Sequence, residues 1–284
     1  MPDMSRRQFS AALAAAALAP TSALASALPS SSSTPSAGRQ SANGFLIDFL
    51  ASPGPFNSPD SGTAPLSAEM LRNAKESGIT AINLSIGGSD VASTFRSMAY
   101  WERELDAHPD VLVRVRSLRD LRAAKETGRL GLIYGFQSTQ MIGSDLANLE
   151  LFARFGVRIV QLTYNGRELI GDGCLEPGNA GLSRFGIAAV ERLNELKTVV
   201  DLSHCGQRTT ADGIRYSKAP VAISHSGCLA LAPDRPRNKR DEELKAMADK
   251  GGVLGIYLMP FLTPLLPRSV DRLTAPAPRV ELAK

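Results

Sequence analysis

From Gly44 to Leu262 the chain alternates short apolar runs with helix-length amphipathic stretches, and it does so seven times. Strands that alternate with helices are joined by crossovers, so they pair in parallel beneath a helical layer. Seven successive repeats favour a sheet closed into a barrel over an open one. The expected strands are 45–50, 79–86, 130–136, 157–162, 198–202, 219–223 and 252–257, with 111–114 as a short connecting strand. The expected helices are 67–77, 91–107, 117–127, 144–155, 182–196, 209–218 and 241–250. Ser67 and Ser117 read as N-caps, and Gly78 and Gly128 as stops.

Two of these strands end alike. Thr198-Val199-Val200-Asp201-Leu202 runs into Ser203-His204, and Ala219-Pro220-Val221-Ala222-Ile223 runs into Ser224-His225. The chain has three histidines, and two of them occupy these matching ends. In parallel strands both emerge at the carboxyl edge of the sheet, where α/β barrels carry their chemistry. Two neutral imidazoles side by side make the start of a zinc site. The third, His108, precedes Pro109 and reads as a surface-loop residue.

Asp48 ends the first strand, where it either stands near a metal or caps a turn. Asp172 and Glu176, in the Gly-rich loop 165–181, read as solvated loop acids, with a metal role as the alternative. Cys174, Cys205 and Cys228 are odd in number and lack CxxC spacing, which speaks against a disulfide framework. Cys205 and Cys228 stand near the histidines in sequence, and are expected as small buried residues rather than nucleophiles.

Residues 1–27 read as a twin-arginine signal peptide. Ser5-Arg6-Arg7-Gln8-Phe9 precedes an Ala-rich run too short to span a bilayer, then small residues suited to cleavage. Export machinery of that type is the expected partner, and a periplasmic location the expected destination. The route carries folded proteins, which suits an enzyme loaded with metal in the cytoplasm. Residues 28–43, rich in Ser, Pro, Ala and Gly, read as a disordered linker. The barrel domain is placed at 44–262 and an irregular tail at 263–284. No eighth strand is legible in that tail, so it either improvises the closure or marks a truncated chain. The expected fold is therefore an α/β, (β/α)8 TIM-type barrel, incomplete at its eighth strand. Net charge is +4, but no basic stripe is interleaved with aromatic residues, so nucleic acid is not an expected partner. No transmembrane segment is expected after signal cleavage.

Several motifs then fall in order between Gly156 and Leu262: Leu162-Thr163-Tyr164-Asn165, Gly171-Asp172-Gly173-Cys174, Gly181-Leu182-Ser183-Arg184-Phe185-Gly186, Asp201-Leu202-Ser203-His204, Ser224-His225-Ser226, Pro236-Arg237-Asn238 and Gly251-Gly252-Val253-Leu254-Gly255. In these the chain resembles the membrane (renal) dipeptidase family, zinc peptidases with an amidohydrolase-like barrel. The resemblance implies hydrolysis of a small dipeptide-like amide by metal-activated water. In that family two zinc ions share a bridging glutamate. One is also held by a His-x-Asp pair after the first strand, the other by histidines after the fifth and sixth.

His204 and His225 match the second pair. Leu50 and Ser52 stand where the His-x-Asp pair would be, and Gln137 stands at the bridging glutamate. One zinc at most is expected, on His204 and His225, with Gln137 and Asp48 as the remaining candidate donors. Tyr164 stands where the family has a substrate-polarising histidine, and a phenol can donate to an oxyanion. Arg237, with Asn238 beside it, matches the arginine that holds the substrate carboxylate, a task suited to a guanidinium. The family's late aspartate has no counterpart here. Two other readings stay open: a family member without catalysis, acting as a binding protein or as a truncated chain, and a mononuclear amidohydrolase acting on a non-peptide amide or lactone.

Overall fold

The computed structural model describes residues 44–55 and 63–257. The expected leader, linker and tail, at 1–27, 28–43 and 263–284, lie outside the described residues, as does 258–262. The chain runs β1 (Ile47–Asp48), α1 (Ala68–Glu76), β2 (Ala81–Ser85), α2 (Val91–Ala107), β3 (Leu112–Arg114), α3 (Leu118–Thr127) and β4 (Leu130–Phe136). A 3-10 turn (Gln140–Ile142), α4 (Ala147–Arg154), β5 (Val157–Gln161), α5 (Arg184–Glu195), β6 (Val199–Asp201), α6 (Gln207–Tyr216), β7 (Ala222–Ser226), α7 (Asp241–Asp249) and β8 (Val253–Ile256) follow.

All the strand pairs are parallel, in the order β1-β2-β4-β5-β6-β7-β8, with β3 off this path against β4. β3 takes Leu130–Leu132 of β4 and β5 takes Tyr134–Phe136, so the two share one strand lengthwise. The result is a nearly closed barrel of seven strands whose seam, between β1 and β8, carries no pairing among the described residues. The incomplete TIM-type barrel expected from the sequence is the fold observed.

Local chemistry explains most element ends. Ser67 and Ser117 accept from the amides of Met70 and Asp120 as N-caps. Gly128 closes α3 at φ 65°, a left-handed conformation that glycine adopts without steric cost. Two elements begin three residues later than expected. α4 begins at Ala147 rather than Ser144, because Asp145 Oδ1 accepts the Ala147 amide at 2.8 Å and starts the helix there. β7 begins after Pro220, which has no N–H for the ladder, and runs on through His225.

β1 is only two residues long, and side chains hold its flanks. Thr80 Oγ1 accepts the Leu46 amide at 3.1 Å, and Asn83 Nδ2 donates to the Phe49 carbonyl at 2.9 Å. Leu84, Leu132, Phe136, Val160, Leu162, Val200, Leu202 and Ile223 are buried in the main core, each contributing about 1.5–3 kcal/mol. No helix among the described residues is long and apolar enough to cross a membrane.

Candidate metal centre

β6 and β7 pair with Asp201 opposite Ala222, and just beyond this pair the Ser203 and Ser224 hydroxyls lie 2.9 Å apart. This register turns the repeated sequence into one site. The two imidazoles meet edge to face with centroids 5.0 Å apart, and their Nε2 atoms lie 3.0 Å apart. Both rings are buried.

Hydrogen bonds at the far nitrogens fix the near ones. Asn165 Oδ1 lies 2.7 Å from His204 Nδ1. An amide oxygen only accepts, so that proton is on Nδ1 and His204 Nε2 is bare. Asn165 is set by the Gly-rich loop packed behind it: a Cβ on Gly173 would stand 2.0 Å from the Tyr164 carbonyl. His225 Nδ1 lies 2.6 Å from Ser224 Oγ, whose own proton goes to Asp201, so His225 Nε2 is bare as well.

Two lone pairs at 3.0 Å repel unless a cation joins them. A proton is a poor candidate. Burial, then the nearby Arg237 guanidinium, holds both imidazoles far below the ordinary histidine range, with Lys239 adding to the effect. Arg237 is itself buried: Nη1 donates to the Ser203 carbonyl and Nη2 to the His225 carbonyl at 2.9 Å. Its Nε is buried without a hydrogen-bond partner among the described residues. Lys239, which the sequence reading did not single out, donates to the Cys205 carbonyl at 2.7 Å and to Thr210 Oγ1 at 2.9 Å. Arg237 and Lys239 thus staple the backbone around both histidines, and burial lowers the basicity of both side chains.

The other expected residues fall into place around this pair. Tyr164 lies flat on His204, ring centroids 4.2 Å apart, and is 44% exposed. Gln137 Nε2 is 3.2 Å from His225 Nε2, and a 180° turn of the amide would bring Oε1 there instead. Asn238 is buried against Gly227, where a Cβ would stand 2.8 Å from its Oδ1. Asp48 Oδ1 accepts the Leu50 amide at 3.0 Å, the turn-capping alternative. Asp48 also lines a cleft of ≈ 320 Å³ along the seam, with Leu50, His225 and Tyr257. Ser52 Oγ accepts the Gly54 amide at 3.1 Å. Tyr257, another unforeseen neighbour, stands edge-on to His225 at 5.4 Å.

Two expectations are corrected. Asp172 is not a solvated loop acid. It is buried, pairs with Arg167 at 2.8 Å and accepts the Ala180 amide at 2.6 Å, organising the loop from within. Cys228 is only half-buried, whereas Cys205 is enclosed and its thiol is pushed up to about 11 by burial, far from an activated nucleophile. His108 caps the end of α2 beside Glu104, 3.7 Å away.

The donor set matches one divalent ion and not two. Two bare imidazole nitrogens and a nearby amide can hold one zinc that keeps an open position. A second ion would need a histidine, an aspartate and a glutamate where Leu50, Ser52 and Gln137 stand, and these three side chains do not replace them. Among the described residues no group of three or more His, Cys, Asp and Glu side chains gathers at one point.

Comparison with known proteins gives a consistent result. The profile of the family described as membrane dipeptidase (peptidase family M19) matches residues 63–276. The dipeptidase aclJ of Aspergillus oryzae is 31% identical over 177 residues, which is 61% of this chain and 42% of that protein. The match therefore spans less than half the length of that relative. An amidohydrolase from Pseudomonas aeruginosa superposes with a TM-score of 0.67 at 33% identity, covering 75% of this chain and 62% of that one. A metallopeptidase from Rhodobacter sphaeroides, solved with a phosphinate mimic of the dipeptide L-Ala-D-Ala, shares the fold with a TM-score of 0.65 at 19% identity. That superposition covers 75% of this chain and 73% of the other.

Proposed function

The chain belongs to the membrane dipeptidase family, peptidase family M19, and we propose that it is a hydrolase cleaving a dipeptide-like amide at a single metal ion. The observation that carries this reading is the pair of histidine Nε2 atoms facing each other at 3.0 Å in a buried site. His204 and His225 would hold the ion, with Gln137 able to offer its amide oxygen. Bound zinc supplies Lewis acidity and a water of lowered pKa, about 7 in zinc hydrolases.

The protein's own groups do the rest. The buried Arg237 guanidinium puts a positive charge behind the histidines, which favours a substrate bearing a carboxylate and disfavours a second metal. Tyr164, half open to solvent over His204, covers the site and offers a phenol where an oxyanion develops. Asn238 supports the Arg237 segment from a buried position. The small peptide-like substrate inferred here has its parallel in the phosphinate dipeptide mimic bound by the Rhodobacter enzyme. The twin-arginine leader at 1–27 supports export to the periplasm after folding.

A second reading, a non-catalytic binding member, is favoured by Leu50, Ser52 and Gln137 at positions where the family carries metal ligands. Zinc content per purified chain separates the two. About one zinc, lost in the His204→Ala/His225→Ala variant and accompanied by dipeptide hydrolysis, is the expected result. A folded chain that takes up no zinc and hydrolyses no dipeptide overturns the hydrolase reading in favour of the binding member.

A further inference from the structure

We propose that Asp201, acting through the hydroxyl of Ser224, keeps the ring proton of His225 on Nδ1 and so holds Nε2 bare for a cation. A ligating histidine commonly hands its second N–H straight to a carboxylate or a carbonyl. Here one hydroxyl stands between.

Asp201 ends β6, fully enclosed, and gathers four donors. Its Oδ1 accepts the amides of Ser203 at 3.1 Å and Ser224 at 2.9 Å, and the Ser203 hydroxyl at 2.6 Å. Its Oδ2 accepts the Ser224 hydroxyl. A serine hydroxyl has one proton to give. With that proton on Asp201, Ser224 Oγ can only accept from the imidazole 2.6 Å away, so His225 must carry its hydrogen at Nδ1. The opposite assignment, Ser224 donating to His225, would leave two oxygens in close contact with no hydrogen between them. The two serine hydroxyls also lie 2.9 Å apart, and the Ser203 hydroxyl accepts the His225 amide at 3.0 Å. One carboxylate therefore anchors both strand ends while setting one tautomer.

The arrangement makes Asp201→Asn a reversal rather than a simple loss. Asparagine must keep its oxygen on the Oδ1 side, where two backbone N–H groups point. Its NH2 then faces Ser224 Oγ and donates to it. The serine proton turns to His225 Nδ1, and the ring hydrogen moves to Nε2. There it faces the bare Nε2 of His204 at 3.0 Å and forms a hydrogen bond that closes the site to metal.

The proposal rests on the reading of His225 as a metal-facing group only for its consequence, and the test keeps the two apart. The metal-free full chain is labelled with 15N-histidine, and long-range 1H–15N correlations report each ring's tautomer. Wild type is expected to show His225 as Nδ1–H, Asp201→Asn to show Nε2–H, and Ser224→Ala to populate both forms. Zinc affinity by chelator competition should fall at least about 10- to 100-fold in Asp201→Asn. A wild-type His225 protonated at Nε2, a measurement that needs no variant, overturns the relay. So does an Asp201→Asn chain that folds with its tautomer unchanged. The expected tautomers in a chain that binds no zinc would uphold the relay and overturn the hydrolase reading instead.

Discussion

At the residue scale, the site depends on which side of each imidazole carries its proton. Asn165 settles this for His204 by a single accepted bond, and Asp201 settles it for His225 through Ser224. None of these partners announced a role in the sequence, because a hydrogen-bond acceptor is recognisable only once its donor's position is known. The histidines were legible, since the same short pattern occurs twice at strand ends. The depressed basicity of both rings has a consequence for stability. Above the ordinary histidine value of 6.5 both are neutral, folded or unfolded. Below it the unfolded chain takes up protons that the folded chain refuses, so the unfolding free energy falls as pH drops. For two such sites the slope approaches about 2.7 kcal/mol per pH unit. Urea unfolding of the metal-free chain at neutral and mildly acidic pH is expected to show this loss, and a His204→Gln/His225→Gln chain to lack most of it. An equal loss in both would place the acid sensitivity elsewhere.

At the element scale, the loops that carry Gln137 and Tyr164 are held by one carboxylate. Glu168 Oε2 accepts the Ser138 hydroxyl at 3.0 Å, the Thr139 amide at 3.2 Å and the Thr139 hydroxyl at 3.3 Å, while Oε1 accepts the Tyr164 amide. It therefore joins the loop after β4 to the loop after β5 directly beside the histidines. Glu168→Ala should cost about 1.5–3 kcal/mol of stability and free both segments. Amide hydrogen exchange is expected to quicken at 137–141 and 163–166 and to stay unchanged in α6 and α7. Protection retained in both loops would show that packing, not Glu168, orders them. Helices were the most legible elements: the bounds of α2 agree with the reading of apolar spacing, and those of α3 with serine and glycine punctuation. The start of α4 was not, because its cap is Leu146, which no pattern marks, and the Asp145 carboxylate that accepts the Ala147 amide stands one residue before that cap.

At the scale of the whole barrel, the seam is the distinctive feature. β1 and β8 approach closely where a Cβ on Gly255 would lie 3.4 Å from Phe49 Cβ, yet no ladder joins them among the described residues. Leu46 is 54% and Ile256 61% exposed along that edge. Unpaired parallel edges with apolar side chains invite pairing with other chains. Ile256→Lys should therefore lower self-association in light scattering while changing stability by no more than about 0.5 kcal/mol. Unchanged scattering would mean that association, where it occurs, does not use this edge. The alternation of strands and helices was enough by itself to determine a parallel α/β barrel and to put both histidines at its carboxyl edge, because crossover handedness and strand direction follow from local pattern alone. Only the tertiary structure decided that Asp201 falls opposite Ala222, that Arg237 and Lys239 turn inward to hold carbonyls, and that Asp172 is buried. Register, burial and hydrogen-bond partners depend on residues far apart in the chain, and no local pattern encodes their meeting.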